Sequence, residues 1–337
     1  MTKVLVFGPT EHSHVKKWNS FFYGCELSLF TLHIGRKVNR WSMVTRFIRI
    51  LINTSGKKYD IAHVHFASSY GVLFNLLLVK CNTSLVSIWG SDFNRFFDGA
   101  GVGYQFWSLI ISWSLKRYDL VNVPSTDIYQ KVRKLGVHED KIILMQYGIR
   151  TKAIDKIKSK SKVINVSNRF ISIRNFADLY NIEILVDAFA SVAKEYRFEL
   201  QIIGTGTPEE CSKIENLLAN YSDDRIQFIG FVSSSELTRL LIEAEYFVSI
   251  PSMDGLSLVV LESIACGCKG IVSNIPAYQD KLFDRLCWRI DHTDASRFTD
   301  LLEEIISRGS QMKYEVYNLD KYDIAKNRVR FRKFLNL

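Results

Sequence analysis

The residues best suited to chemistry lie in one stretch of the chain, 246–270. A short apolar run at 246–250 predicts a strand, and the denser apolar run at 258–265 predicts a buried helix. Ser257 stands where a helix N-cap is expected, so the amides that follow it would be unpaired and would favour an anion such as a phosphate. The predicted order is therefore strand, loop and helix, with an anion site where the helix begins.

Two carboxylates frame this predicted anion site. Asp254 lies in the loop before the helix, and Glu262 lies within the helix. Because like charges repel, these carboxylates are unsuited to binding a phosphate directly. They are suited to accept hydrogen bonds from hydroxyls on either side of it, as a ribose and a hexose would offer. The alternative is an ordinary strand and helix with exposed acids.

This stretch resembles the signature of the retaining glycosyltransferases of family four, which have the GT-B fold. Residues 251–267 match its order and spacing, with Asp254 in place of the more common Glu and with Glu262 as the second acid. The resemblance implies that Asp254 contacts hexose hydroxyls and that Glu262 contacts the ribose of a nucleotide sugar. The resemblance does not identify the hexose, because Leu-Ser stands where Phe-Gly is usual. Backbone amides facing the β-phosphate and the sugar are expected from Gly255, Leu256, Ser257 and Leu258.

A second match concerns the diphosphate. Residues 172–182 resemble the pattern Ser-x-Arg-Asn-(Phe/Leu)-x-x-(Leu/Ile)-Tyr-Asn-(Ile/Val) of one branch of the family. The match implies that Arg174 holds the diphosphate, since its planar guanidinium suits phosphate oxygens, with Arg169 as the alternative. The Lys that often accompanies this Arg in the family has no clear equivalent. The other donor contacts implied by the resemblance are Gly8, Asn175, Gly204, Gly206 and Phe231.

Candidate acceptor residues lie in the first half of the chain. The loop 8–14 resembles the N-terminal loop of some bacterial members of the family, which makes His14 a candidate contact. A solvated loop histidine is the alternative. His63 and His65 alternate with apolar residues near the end of a predicted strand, so one of them is alternatively a core residue.

Residues 85–92 resemble the family's His-Gly-x-Asp element, although Trp89 replaces the His and leaves Asp92 as the matching polar side chain. Alternating strands and helices predict a parallel sheet, in which such loops gather at the carboxyl ends of the strands. The predicted acceptor contacts are His14, His65, Trp89, Gly90 and Asp92. The predicted catalytic residues are Asp254, Glu262, Arg174, Asp92 and His14.

Length and composition indicate two domains. The chain has 337 residues, of which 47% are hydrophobic, which is enough for two packed cores. The predicted fold is α/β and, by resemblance, GT-B, with two Rossmann-like domains facing across a cleft. We expect an acceptor-binding domain at 1–150 and a nucleotide-sugar-binding domain at 151–319, with a C-terminal helix at about 320–337 packing back on the first. The charged segment 151–161 is predicted to be the linker.

The positive charge is concentrated in the first domain. Residues 1–150 contain 19 Lys and Arg against 9 Asp and Glu, a charge of +10, and the rest of the chain contributes −1 to the net charge of +9. Segment 33–58 contains no acid, and part of it has helical periodicity, so it is either a helix lying on an anionic membrane or a core helix with a basic exposed face. The aromatic segment 104–115 is predicted to be a core helix, with contact to an isoprenoid as the alternative. The basic residues of segment 33–58 are Arg36, Lys37, Arg40, Arg46, Arg49, Lys57 and Lys58.

The remaining patterns disfavour several classes of protein. No apolar run reaches the length of a membrane-spanning helix, and the six cysteines form neither a metal-binding nor a disulfide pattern. No DxD-type metal motif stands where one would be needed, so we expect neither a metal nor a cofactor. The expected location is the cytoplasm, peripheral on the inner face of the cell membrane.

The resemblance implies a retaining glycosyltransferase of envelope polysaccharide assembly, such as O-antigen or capsule. It would transfer a hexose or N-acetylhexosamine from a nucleotide sugar, with UDP favoured and GDP possible, to a hydroxyl of a lipid-linked saccharide or other envelope glycan. A nucleotide-sugar epimerase of the same fold is the alternative. A nucleic-acid-binding protein is a further alternative, although the basic region lacks a recognisable nucleic-acid motif. The sequence does not identify the base, the sugar or the acceptor.

Overall fold

The computed structural model describes residues 1–31, 40–67, 70–90, 92–94, 102–160, 166–221, 223–309 and 318–337. The chain divides into two compact units. The first unit comprises Met1–Tyr147 together with Ala325–Leu337, and the second comprises Gly148–Ile324. Each unit has its own parallel sheet and its own apolar core.

The first unit is built on a six-stranded sheet in the order β2-β1-β3-β4-β5-β6, with every neighbouring pair parallel. Its inner strands are almost continuously buried, as expected for strands covered by helices on both faces. Its strands are β1 Lys3–Gly8, β2 Glu26–Thr31, β3 Lys58–His65, β4 Lys80–Ser87, β5 Leu120–Val123 and β6 Ile142–Leu144. Its described helices are Ser13–Asn19, Arg40–Thr54, Tyr70–Leu78, Val102–Arg117, Thr126–Lys134 and, from the end of the chain, Ile324–Phe334.

The second unit has a parallel sheet in the order β12-β11-β10-β7-β8-β9. Its core is formed by the central strands and by the helices that follow them. Its strands are β7 Val166–Ile173, β8 Glu199–Ile203, β9 Ile226–Gly230, β10 Ala244–Ser249, β11 Lys269–Ser273 and β12 Cys287–Ile290. Its described helices are Thr151–Lys160, Ile182–Val192, Pro208–Tyr221, Ser234–Glu243, Leu258–Cys266, Lys281–Leu286 and Ala295–Arg308.

Each sheet has one point at which the strand order reverses. In the first unit this switch point lies between β1 and β3, and in the second it lies between β7 and β10. The connections that leave the two strands there run to opposite sides, which opens a crevice outside the carboxyl ends where open α/β sheets bind ligands. Gly8 ends β1 and His65 ends β3, while Arg174 follows β7 and Asp254 lies in the loop after β10.

Several predicted elements are confirmed. The strand, loop and helix of the 246–270 stretch are present as β10 and the helix Leu258–Cys266. This helix ends at Gly267, whose φ of 106° is the left-handed conformation that glycine adopts without strain. An apolar run of this length bounded by glycine favours a short buried helix, which is why the sequence located it.

Two segments have structures that the sequence predictions did not describe. Segment 151–161, predicted to be the linker, contains the helix Thr151–Lys160, which buries Ile154. This helix has a short apolar stripe, which the many charged residues of the segment made hard to recognise in the sequence. Segment 104–115 is helical, but Phe106, Leu109 and Trp113 are exposed, so the aromatic residues do not all belong to a core.

Some predictions fall outside the described residues. Segment 33–58 contains the described helix Arg40–Thr54, but Arg36 and Lys37 are not described, nor are most side chains of that helix's first half. The first residues of the strand predicted from residue 162 are likewise outside, and the described strand begins at Val166. Each helix within the described ranges is too short or too polar to cross a membrane.

Candidate functional site

The side chain of Arg174 is the centre of a hydrogen-bonded cluster at the switch point of the second unit. Its Nε and Nη2 donate to Ser249 Oγ at 2.9 and 2.6 Å, and Nη2 also donates to Asp254 Oδ2 at 2.8 Å and to Tyr278 Oη at 2.9 Å. Tyr278 Oη in turn donates to Asp254 Oδ2 at 2.7 Å. The guanidinium lies 5.0 Å from the ring centroid of Tyr180. The cluster joins residues that follow or end three adjacent strands, β7, β10 and β11.

Electrostatics keeps this cluster charged in a fixed pattern. Burial alone would lower the pKa of Arg174, but Tyr278, Asp254 and Tyr180 together outweigh it and raise that pKa. Burial raises the pKa of Tyr278 well above its ordinary value, and the Asp254 carboxylate adds to this. Tyr278 therefore keeps its proton and remains a donor to Asp254. With Arg174 only 9% exposed and Asp254 16%, the guanidinium has lost most of its rotational freedom.

The helix Leu258–Cys266 begins next to this cluster in sequence. Ser257 occupies the N-cap position as predicted, but its side chain makes no capping hydrogen bond. Gly255 donates its amide to Asp254 Oδ1 at 2.7 Å, which turns the loop toward the helix start. Leu256, Ser257 and Leu258 are buried, and Glu262 is half-buried on the helix. Predicted phosphate and sugar contacts therefore occupy one short turn and the helix that continues it.

Two glycines hold the loop after β8 against Arg174. A Cβ atom on Gly204 would lie 1.7 Å from the backbone oxygen of Arg174, and one on Gly206 would lie 2.8 Å from the side chain of Glu210. The amide of Arg174 also donates to Ile203 O at 3.0 Å. These loops approach so closely that only glycine fits at 204.

The other two predicted donor contacts lie at the same edge of the sheet and are exposed. Asn175 follows Arg174, and its Oδ1 accepts from the amide of Ala177 at 3.4 Å. Phe231 follows β9 and is 81% exposed. Because Gly204 donates its amide to Gly230 O at 3.1 Å, the loop carrying Phe231 adjoins the loop of Arg174 and Gly204.

Arg169, the alternative diphosphate contact, has a different environment. Its Nε pairs with Glu199 at 2.8 Å and its Nη1 pairs with Glu243 at 3.0 Å. Both acids flank it on neighbouring elements, so its charge is already balanced within the sheet. The geometry therefore favours Arg174 over Arg169 for an anionic ligand.

His65 lies at the switch point of the first unit. Its ring is fully buried, and neither ring nitrogen has a hydrogen-bond partner among the described residues. Burial, with smaller contributions from His63 and His14, holds the pKa of His65 well below its ordinary value, so the ring is neutral at pH 7. A Cβ atom on Gly8 would lie 2.9 Å from His65 Cβ, which explains the glycine there. Gly8, predicted as a donor contact, thus lies among the predicted acceptor residues.

Trp89 links the predicted acceptor residues of the first unit. Its ring centroid lies 5.0 Å from that of His14 and 5.7 Å from that of His65. The indole nitrogen of Trp89 is buried without a hydrogen-bond partner in the described part of the chain. Buried polar atoms are normally paired, so unpaired ones on two adjacent rings mark a place suited to a hydroxyl-bearing ligand.

Asp92 holds the loops of this region together. Its Oδ1 accepts from the amides of Trp89 and Gly90 at 2.9 and 2.8 Å, and its Oδ2 accepts from the amide of Ala67 at 2.8 Å. With both oxygens engaged by backbone and only 7% of the residue exposed, Asp92 positions Trp89 and Gly90. This geometry does not support the catalytic role predicted for it.

The sequence prediction missed Ser249, Asn181 and Tyr278. Asn181 donates through Nδ2 to Ile250 O at 2.7 Å and to Ser252 Oγ at 3.0 Å, which ties the loop after β7 to the loop after β10. Asn181 was within the matched pattern 172–182, so a signal existed for it. The other two are single hydroxyls outside any recognised motif, and only the fold brings them to Arg174.

The described residues contain no cluster of three or more His, Cys, Asp or Glu side chains that could hold a metal ion. The six cysteines are free thiols, and three of them, Cys266, Cys268 and Cys287, are buried. The charged side chains of the second unit's cluster are Arg174 and Asp254.

Comparison with known families agrees with the arrangement of both units. The profile of the family described as "Glycosyl transferases group 1" matches residues 153–318. The profile described as "Glycosyl transferase 4-like" matches residues 19–125. The first match contains the Arg174 cluster, and the second contains His65, Trp89 and Asp92.

Characterised relatives and solved structures are similar to the chain. N-acetyl-alpha-D-glucosaminyl L-malate synthase of Bacillus anthracis is 23% identical over 64% of this chain and 58% of its own length. The O-antigen biosynthesis glycosyltransferase WclY of Escherichia coli is 29% identical over 33% of this chain and 31% of its own. The chain thus matches less than two thirds of either relative's length.

One of the similar solved structures is Anabaena HepE in complex with UDP and glucose. It is 9% identical, has a TM-score of 0.72 and is covered over 100% of both chains, so the likeness concerns the fold. This agrees with two Rossmann-like units carrying parallel six-stranded sheets. The two family profiles together cover most of the chain, which therefore belongs to the family-four-like glycosyltransferases with the GT-B fold.

Proposed function

We propose that the chain is a retaining glycosyltransferase that moves a hexose or N-acetylhexosamine from a nucleotide diphosphate sugar to a glycan hydroxyl. A UDP-sugar is favoured and a GDP-sugar is the alternative donor. Support for UDP comes from the Anabaena structure, whose complex contains UDP and glucose. The second unit would hold the donor and the first the acceptor.

The observation that carries this proposal is the Arg174 cluster. A nearly buried guanidinium at a switch point is paired with Asp254, and Asp254 lies shortly before an apolar helix that begins after Ser257. A diphosphate would gain hydrogen bonds from Arg174 and from the helix amides. Oδ2 of Asp254 already accepts from Arg174 and Tyr278, whereas Oδ1 accepts from the amide of Gly255 and retains a lone-pair direction for a sugar hydroxyl.

The proposed chemistry is electrostatic. The bond between the anomeric carbon and the diphosphate oxygen breaks, and negative charge develops on the departing nucleoside diphosphate. Arg174 and the amides of Gly255 to Leu258 would stabilise that charge. The acceptor hydroxyl then attacks from the same face, which retains the configuration, and its proton passes to an oxygen of the departing diphosphate. Glu262 would bind the ribose hydroxyls, and neither a metal nor a cofactor takes part.

The acceptor is proposed to be a lipid-linked saccharide or another envelope glycan at the inner face of the cell membrane. The unpaired ring nitrogens of His65 and Trp89 offer one acceptor and one or more donors to sugar hydroxyls. His14 lies against Trp89 and could contact the same ligand. The similarity to an O-antigen biosynthesis glycosyltransferase supports a glycan acceptor.

The proposal is tested first by donor binding. UDP-glucose, UDP-N-acetylglucosamine and GDP-mannose are compared by thermal shift, and a true donor raises the melting temperature by mass action. Glu262→Gln is expected to weaken that effect, whereas Glu303→Gln, on another helix of the same unit, leaves it unchanged. If no nucleotide sugar stabilises the protein, or if Glu262→Gln binds the donor as well as wild type, the proposed donor site is wrong. Release of UDP that requires an acceptor then separates transfer from epimerisation.

A further inference from the structure

The helix Val102–Arg117 has an apolar face that the rest of the described structure does not cover. Phe106, Leu109 and Trp113 are spaced along one side of the helix, and they are 59, 69 and 41% exposed. An exposed tryptophan, phenylalanine and leucine in one row are unusual on the surface of a soluble unit. We call these three residues the exposed apolar row.

The helix next to it adds to this surface. Tyr70–Leu78 packs against Val102–Arg117, and its last residues, Leu77 and Leu78, are 65 and 47% exposed. Residues 72 and 74 on the same helix are buried, so the helix has a core face as well as an exposed apolar end. The exposed leucines are therefore not explained by core packing.

The charged side chains of the segments that carry these two helices have one sign. The segments 70–90 and 102–117 contain no Asp or Glu, whereas Lys80, Lys116 and Arg117 are exposed. The guanidinium of Arg117 lies 3.9 Å from the ring centroid of Trp113 and donates through Nη1 to Trp113 O at 3.3 Å. An aromatic ring carrying an arginine on its face can enter the interfacial layer of a bilayer while its cation meets lipid phosphates.

We propose that the exposed apolar row is a docking surface for an anionic phospholipid bilayer. The row enters the headgroup region, and Lys116 and Arg117 bind phosphates at its edge. A zwitterionic bilayer would accept the apolar side chains of the row but would not balance the charges of Lys116 and Arg117. A second copy of this basic unit would be repelled, because both copies are positively charged. The inference rests on the proposed function for its purpose, since it would bring the first unit to a lipid-linked acceptor, but its test requires no turnover.

The test is vesicle flotation of the purified protein without donor or acceptor. An equal mixture of phosphatidylcholine and phosphatidylglycerol is expected to bind the protein, and pure phosphatidylcholine is expected to bind it about tenfold less. Phe106→Ser and Trp113→Ser should each weaken binding by about tenfold, because each removes one inserted side chain. Phe334→Ser is the matched control, since Phe334 is an exposed aromatic residue of the same unit, 52% exposed, outside the row.

Tryptophan fluorescence gives a second measurement. Wild-type emission should shift to shorter wavelength on anionic vesicles, whereas Trp113→Phe should bind with the shift largely lost. Equal vesicle binding by wild type, Phe106→Ser and Trp113→Ser would overturn the proposal. So would self-association, measured by light scattering, that these variants abolish in a protein that does not bind vesicles. Donor stabilisation is measured separately, so failure here leaves the proposed donor site standing.

Discussion

Arg169 and Arg174 differ in what surrounds them, although Arg169 lies within β7 and Arg174 directly follows that strand. Arg169 is balanced by two glutamates, and Arg174 by one aspartate and two hydroxyls at the switch point. Only the second arrangement has a single acid, and that acid, Asp254, lies shortly before a helix start. The difference leads to a paired prediction.

Arg174→Lys should reduce kcat/KM for the donor by roughly 10²–10³, because an ammonium cannot reproduce the forked contacts that stabilise a leaving diphosphate. Arg169→Lys should leave kcat/KM within about twofold and cost about 1 kcal/mol of stability, since its partners are acids of the sheet. Steady-state kinetics and urea unfolding of both variants check this. Loss of activity in Arg169→Lys alone would reverse the assignment.

Tyr278 is a positioning residue, because its hydroxyl bridges Arg174 and Asp254 and is fully buried. Tyr278→Phe removes both hydrogen bonds and leaves the ring in place. We expect kcat/KM for the donor to fall about tenfold, and stability to fall by about 1–3 kcal/mol. Tyr221→Phe is the control, because that hydroxyl donates to Asp187 on the surface at 2.8 Å. If both variants keep full activity, Tyr278 is only structural.

At the scale of elements, the loop after β8 tests how closely two loops must approach. Gly204→Ala should destabilise the protein by about 1–3 kcal/mol and raise the KM for the donor, because the new methyl meets the backbone of Arg174. Gly103→Ala, in the helix Val102–Arg117, adds a Cβ that meets no atom of the described residues within 4 Å and should stabilise the protein by about 0.5–1 kcal/mol. Thermal unfolding of both variants measures whether Gly204→Ala destabilises the protein and Gly103→Ala stabilises it, and donor titration measures the change in donor affinity. Equal effects would contradict the steric argument.

The sequence predicted the elements of the second unit's site well and its side-chain contacts poorly. The 251–267 stretch could be read because a turn, a helix start and two acids occur at fixed spacing. Ser249 and Tyr278 could not, since a hydroxyl at the end of a strand has no local signature and acquires a partner only when β7, β10 and β11 lie side by side.

The predictions for Thr151–Lys160 and for segment 104–115 were incomplete for a different physical reason. Charge on Thr151–Lys160 suggested a linker, and the structure shows a helix that buries Ile154 and contacts neighbouring helices. Aromatic content at 104–115 suggested a core, but periodicity does not say which face of a helix meets the protein and which meets something else. Only the packed structure separates the two faces.

At the scale of the whole molecule, the buried histidines make stability depend on pH. His63 is fully buried, and burial lowers its pKa to about 3. Below about pH 6.5 the unfolded chain therefore binds a proton at His63 that the folded protein does not bind. The free energy of unfolding therefore falls as the pH falls from about 6.5 towards the folded pKa of about 3. His65 is shifted in the same direction. Below about pH 6.5, each of these buried histidines should lower the free energy of unfolding by about 1.4 kcal/mol per pH unit.

Urea unfolding between about pH 7 and pH 5 measures this dependence. His63→Gln should make it shallower by about 1.4 kcal/mol per pH unit. His138→Gln, whose side chain is 71% exposed, should leave it unchanged. A wild-type protein equally stable across this range would show that the buried rings are protonated or hydrated in solution.

The end of the chain completes the first unit. Phe331, on the helix Ile324–Phe334, is fully buried, and its ring centroid lies 4.8 Å from that of Trp18 and 5.7 Å from those of Phe21 and Phe22. Residues 325–337 leave the ribosome only after all of the second unit has been made. At typical elongation rates, synthesis of the second unit takes roughly 10–30 s. During that time the aromatic groove that Phe331 fills is exposed on the nascent first unit and accessible to chaperones. The order of synthesis therefore makes the second unit the first that can finish folding.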